Sequence, residues 1–164
     1  MAMLLRLLPL PRLAFATSLI LTSVPVATAQ TVVDGNTVEL ESRTYRLWGM
    51  DAPDIDQTCA SAWPAGQEAM KALAGMIDGK KVECAEKGHD RNGRTVARCT
   101  ADGIDLAAAM VRSGMAWADL PVSRAYIVEE AKAAADFRGV HAHHCRTAWD
   151  WRAKRRPEPQ FQRQ

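Results

Sequence analysis

Three short segments carry residue types suited to handling a charged oxyanion. They are Val33-Asp34-Gly35-Asn36-Thr37-Val38, Tyr45-Arg46-Leu47-Trp48-Gly49-Met50-Asp51-Ala52-Pro53-Asp54, and Asp90-Arg91-Asn92-Gly93-Arg94-Thr95-Val96-Ala97. A phosphodiester is an anion that repels nucleophiles, so its chemistry needs guanidinium forks and a divalent cation to offset charge. The segments supply arginines, and carboxylates whose hard oxygens suit calcium. Each segment alone also has an ordinary reading: a hairpin turn, a strand ending in a proline loop, and a turn with a solvated arginine. Arg46 and Asp51 lie five positions apart, so a regular strand would point them to opposite faces. They share a site only if the chain bends near Gly49-Met50, and glycine there permits a bulge.

Short strands must position these segments. Thr31 to Val33 and Thr37 to Leu40 read as strands around the turn Asp34-Gly35-Asn36, and Thr44 to Gly49 reads as a third. Asp51 to Pro64 is a loop, and Gly66 to Ile77 has helical periodicity. Lys80 to Glu86 and Arg94 to Thr100 form a second hairpin. Asp105 caps a helix from Leu106 to Ser113, and Tyr126 to Phe137 is a third helix. Strands first and helices late predict an α+β fold, and five short strands predict a five-stranded OB-type barrel with three helices. Residues 149–164, basic and carrying Pro157 and Pro159, read as a disordered tail.

The start of the chain reads as an export signal. Arg6 and Arg12 precede the apolar run Leu13 to Leu21, and Ala27-Thr28-Ala29 has the small residues of a cleavage site, so residues 1–29 should be removed. The alternative is an uncleaved anchor, but the run is short for a bilayer. The domain expected is 30–148, exported to a periplasm or secreted. The full chain has 21 basic and 19 acidic side chains. Losing Arg6 and Arg12 makes the balance even, so net charge gives no argument for a polyanionic partner. Charge is unevenly spread: the body is acidic and the end basic, compatible with cation binding in the one and phosphate contact by the other. Cys59, Cys84, Cys99 and Cys145 form an even set with no C-x2-C pair, which in an exported chain reads as two disulfides; four free thiols are the alternative. Cys84 and Cys99 lie nearly symmetrically about the hairpin turn, which would pair them and leave Cys59 for Cys145.

Together, in this order and spacing, the three segments resemble the thermonuclease (staphylococcal nuclease-like) family. The run Asp102 to Leu106 with Met110 to Ala116 resembles the same family's helix and return strand, so the resemblance covers about residues 31–140. It implies a calcium-dependent phosphodiesterase that acts as a monomer on single-stranded or flexible DNA and RNA. By the resemblance, Arg46 and Arg94 hold the phosphate, Asp51 and the Ala52 carbonyl hold the metal, and Asp54 falls where a water-handling glutamate belongs. Asn36 falls where a second metal aspartate belongs, and Asp34 lies two residues away. Asn36 brings no charge, and Asp54 is one methylene short, a misplacement that can cost about 100-fold in rate. The family's usual aromatic is replaced by Asn92. The readings are therefore a nuclease weakened at its metal and base, or a module that binds nucleic acid or another anion without efficient hydrolysis. A structural exported module is a third.

Other residues carry weaker signals. His141, His143, His144 and Cys145 crowd together but read as an exposed loop. Trp48 and Trp63 could stack bases, although a strand tryptophan is more often core. Tyr126 follows a loop where the family places a nucleotide-contacting tyrosine. Lys154-Arg155-Arg156 reads as a solvated tail.

Overall fold

A computed structural model describes residues 30–155. The expected signal segment lies outside the described residues. Strands β1 (Gln30–Asp34), β2 (Thr37–Leu40) and β3 (Arg43–Leu47) form an antiparallel meander. The first turn is drawn tight by Asp34, whose Oδ1 accepts the Asn36 N–H at 2.8 Å. Gly35 is required there because an added Cβ would lie 2.8 Å from the Ala69 Cβ and 3.0 Å from that of Ala52. Helix α1 (Ala65–Ile77) buries Ala65, Ala69, Leu73 and Ile77, spaced by one helical turn, so its small residues let it lie against the turn.

After β3 the chain turns at Trp48-Gly49, with Gly49 at φ +76°, and re-extends as β4 (Met50–Asp51). A positive φ is nearly free for glycine. β5 (Val82–His89) and β6 (Thr95–Ala101) form the long hairpin, and β7 (Ile104–Asp105) pairs with β6. Asp105 caps α2 (Leu106–Arg112), accepting the Ala108 N–H. β8 (Trp117–Ala118) pairs antiparallel with β4, and α3 (Ile127–Ala135) and α4 (Ala148–Arg155) follow.

Two fold expectations are corrected. The larger sheet runs β1-β2-β3-β6-β5, with β3 and β6 parallel. β1 and β5 are its unjoined ends, so among the described residues the sheet does not close into a barrel. Among the described residues there are four helices rather than three. The extra one, α4, occupies residues read as unstructured tail. It is initiated by Thr147, whose Oγ1 accepts the Asp150 N–H at 3.3 Å and donates to Asp150 Oδ2 at 2.7 Å.

The main core gathers Val38, Leu47, Leu73, Leu106, Met110 and Val111 between sheet and helices. A second cluster of Trp117, Val140 and Ala148 seats α4. Cys84 is bonded to Cys99 across the hairpin, and Cys59 to Cys145 across 86 positions of sequence. Among the described residues no helix is long and apolar enough to cross a membrane.

Candidate active site

A cleft of about 830 Å³ opens where the β1–β2 turn, the β3–β4 turn, the tip of the β5–β6 hairpin and the segment after β8 converge. Asp34, Asn36, Arg46, Asp51, Asp54 and Arg94 all line it, although they come from three separate segments. The Trp48-Gly49 turn is what joins Arg46 to Asp51. It reverses the alternation of the strand, and Arg46 Nη2 donates to Asp51 Oδ1 at 2.8 Å. Asp51 is almost wholly buried and Arg46 largely so, which shields this pair from water.

Ala52 does not line the cleft, and Asn36 does not offer its amide to it. The Ala52 N–H donates to Asn36 Oδ1 at 2.7 Å, and Asn36 Nδ2 donates to the Ala52 carbonyl at 3.1 Å. Both are buried, so this reciprocal pair is a strut between the first turn and β4. Arg94 is held at the hairpin tip by Asp90, whose Oδ2 accepts from Arg94 Nε at 2.7 Å and Nη2 at 2.6 Å. Burial works against the Asp90 charge, but the Arg94 guanidinium and the N–H groups of Arg94 and Asn92 hold its carboxyl below the ordinary value.

Two cleft residues carried no signal in the motif reading. Asp119 follows β8, and its N–H donates to the Gly49 carbonyl at 2.9 Å. Burial, then the charge of Asp51, pushes its carboxyl above the ordinary value, while Arg46 and Arg152 pull it back. Arg152, from α4, reaches across about 100 positions of sequence. Its Nη1 donates to Asp54 Oδ1 at 2.8 Å, and its Nη2 pairs with Asp51 Oδ2. Burial opposes the Arg152 charge, but its hydrogen bonds to the two aspartates raise its pKa. The signal that could have found it is Thr147-Ala148-Trp149-Asp150, a capping pattern that opens a helix.

The other signals resolve differently. Tyr126 is buried, packs edge-on to Trp48 with ring centroids 6.2 Å apart, and donates to Asp105 Oδ2 at 2.9 Å. Its ring and hydroxyl are thus engaged within the core behind the Trp48-Gly49 turn. Trp63 is stacked on His143 at 4.4 Å. Trp48 lines the cleft with Lys87 over its ring at 5.7 Å.

The donor set does not fit a calcium ion as placed. Calcium takes six to eight oxygens, yet among the described residues no group of three His, Cys, Asp or Glu side chains is placed to hold a metal. The two oxygens of Asp51 and one of Asp54 already accept from guanidinium groups, and Asn36 is turned to backbone.

The family model described as staphylococcal nuclease homologue matches residues 44–139. The chain is 36% identical over 83 residues to the probable staphylococcal-like nuclease CAN1 of Oryza sativa subsp. japonica, covering 51% of this chain and 23% of that protein. It is 32% identical over 114 residues to an uncharacterized endonuclease of Haemophilus influenzae, covering 66% and 61%. The protein ParB of Escherichia coli is 31% identical over 140 residues, covering 74% and 75%. The chain thus spans less than two thirds of the rice and Haemophilus proteins. A match of the family model over more than half of this sequence establishes that the chain belongs to the family of staphylococcal nuclease homologues.

Proposed function

We propose that this protein binds the backbone of single-stranded or flexible DNA or RNA in the cleft and hydrolyses its phosphodiester bonds. The observation that carries this reading is the convergence of Arg46, Asp51, Asp54 and Arg94 on one cleft. Arg46 and Arg94 offset the phosphate charge, and guanidinium forks do this in two directions at once. Asp54, partly exposed at the cleft, orients the attacking water and receives its proton. Asp119 is a second carboxylate facing the same space, with its proton held more tightly than usual. A calcium ion of the kind the family implies would need Asp51 and Asp54, whose oxygens already accept from Arg46 and Arg152. Export with removal of residues 1–29, and action as a single copy, belong to the same reading. The two disulfides support export, since such bonds persist in oxidising compartments.

A second reading is favoured by one observation: Arg152 ties up the two carboxylates that hydrolysis would use. The cleft would then bind nucleic acid without cutting it. Hydrolysis of a labelled single-stranded oligonucleotide separates the two. The enzyme reading expects turnover by the parent, and losses of about 100- to 1,000-fold in Arg46→Gln and Arg94→Gln. Lys81→Gln, exposed just before β5 at the end of that strand opposite the hairpin tip, should be unaffected. Tight binding with no turnover in any divalent ion would establish the binding reading instead.

A further inference from the structure

We propose that Arg152 is a resident cation of the cleft. It fills, between Asp51 and Asp54, the charge role that a divalent ion would fill, so that anchoring of a nucleic-acid phosphate here needs no metal. The inference rests on the reading that the cleft binds phosphodiesters. It starts from charge. Asp51 and Asp54 bring two negative charges, and Arg46 and Arg152 bring two positive ones at hydrogen-bond distance. These four groups sum to zero before any ion arrives. A divalent cation at the same place would sit against two guanidinium groups and would have to take oxygens already spent on N–H donors. Asn36 removes the carboxylate that could have outweighed this, and its amide is occupied by Ala52.

The placement of Arg152 is built in, which argues against a side chain that strays into an otherwise open site. Ala148, one turn earlier in α4, is fully buried against Trp117 and Val140. Trp149 packs edge-on to Trp117 at 6.1 Å. The segment entering α4 is tied to the loop that carries Asp54 by the Cys59–Cys145 bond and by Gln57 Nε2 donating to the Arg146 carbonyl at 2.7 Å. Arg155 also pairs with Asp56, but both side chains are more than half exposed, so this pair adds little to the hold. The loop of Asp54 and the helix of Arg152 are therefore one assembly. A guanidinium has five N–H donors. Arg152 keeps some of them for a ligand, because its side chain is 37% exposed and lines the cleft.

The test uses the parent, Arg152→Gln, Arg152→Lys and Arg155→Gln, each checked for folding by circular dichroism. Calcium binding is read by calorimetry, and binding of a fluorescein-labelled thymidine 12-mer by anisotropy, with calcium or with chelator. The parent should show no saturable calcium binding below about 1 mM and the same oligonucleotide affinity in both conditions. Arg152→Gln should lose about tenfold in oligonucleotide affinity in chelator and gain at least about tenfold in calcium affinity, as freed carboxylates would. Arg152→Lys should fall between, because an ammonium cannot bridge two carboxylates as a fork does, and Arg155→Gln should match the parent. Micromolar calcium binding by the parent, or an Arg152→Gln protein with unchanged calcium affinity, overturns the proposal. A parent that binds no oligonucleotide under any condition sinks the functional reading alone, because the calcium measurement still decides the role of Arg152.

Discussion

Asn36→Asp would restore the carboxylate that the family pattern leads one to expect, yet the structure predicts that it harms the protein. Asn36 is buried, with its amide clasping the Ala52 peptide by one accepted and one donated hydrogen bond. The substitution keeps the acceptor and replaces the donor by an oxygen, about 3 Å from the Ala52 carbonyl oxygen. A buried acceptor then loses its partner, which costs about 1–3 kcal/mol, and an ionised group adds to that. Asp34 nearby makes matters worse, since its carboxylate already sits beside the residue 36 N–H. A total of about 3 kcal/mol, in a domain of this size, lowers Tm by about 10 °C. The sign with pH follows from linkage. Burial raises the folded pKa of the introduced carboxyl above its unfolded value of about 3.9, so the penalty is small below that pH, where the acid can donate to Ala52 as the amide did. It grows as pH rises through the unfolded value and levels off above the folded one. Thermal unfolding of parent and variant at pH 4 and pH 7 reads this directly. A variant as stable as the parent at pH 7 would refute the reasoning.

Four further outcomes follow from the packing. Removing the Cys59–Cys145 bond by paired serine substitution should cost about 4–5 kcal/mol on the chain-entropy model, against about 3 kcal/mol for Cys84–Cys99, because the closed loops span 86 and 15 positions; differential scanning calorimetry would rank them. Two glycines of α1 should respond with opposite sign in the same assay. A Cβ on Gly66 would overlap the Asp54 carbonyl, so Gly66→Ala should destabilise by about 1–3 kcal/mol, whereas Gly75 faces open space and Gly75→Ala should gain about 0.5–1 kcal/mol. Burial, then the Asp105 charge and hydrogen bond, raises the Tyr126 phenol above the ordinary value near 10. Its contribution is therefore complete below pH 10 and fades as pH rises beyond it, and ultraviolet titration of parent minus Tyr126→Phe should show that phenolate appearing late.

The motif segments were legible because strand and turn chemistry is local. Asp34-Gly35-Asn36 announces a hairpin, and Gly49 announces the bend that Arg46 and Asp51 need; α1, α2 and α3 sit within a few residues of their periodic patterns. What stayed hidden was decided by long-range packing. The sheet path depends on β3 and β6 pairing in parallel across 50 positions, which no local pattern encodes. Asn36 reads as a cleft ligand until Ala52 is seen to consume its amide. α4 is short and half of its residues are charged, and only burial of Ala148 against Trp117 and Val140 reveals why it is ordered. With α4 unread, Arg152 could not be placed in the site, and the even charge of the cleft went unseen.

That even charge raises a question about every guanidinium there: whether its carboxylate competes with phosphate or props the arginine in place. Asp90 allows the two to be told apart. Its Oδ1 accepts the N–H groups of Asn92 at 2.9 Å and Arg94 at 3.0 Å, so the carboxylate is fixed by the hairpin tip. Only its other oxygen engages the Arg94 side chain, through Nε and Nη2. Nη1 is left for a ligand, and the guanidinium plane is set by an anchor that cannot follow it away. A rigid anchor orients a ligand group as outer-sphere partners orient metal ligands, and the ordering of a long side chain is then complete before the phosphate arrives. On this argument Asp90→Asn, which preserves size but weakens the hold on Arg94, should reduce oligonucleotide affinity by about three- to tenfold. Were the carboxylate a competitor, the same substitution would free Arg94 and tighten binding. Anisotropy titrations at fixed salt distinguish the two by sign, and tighter binding by Asp90→Asn would overturn the view that the acidic residues of this cleft act as supports.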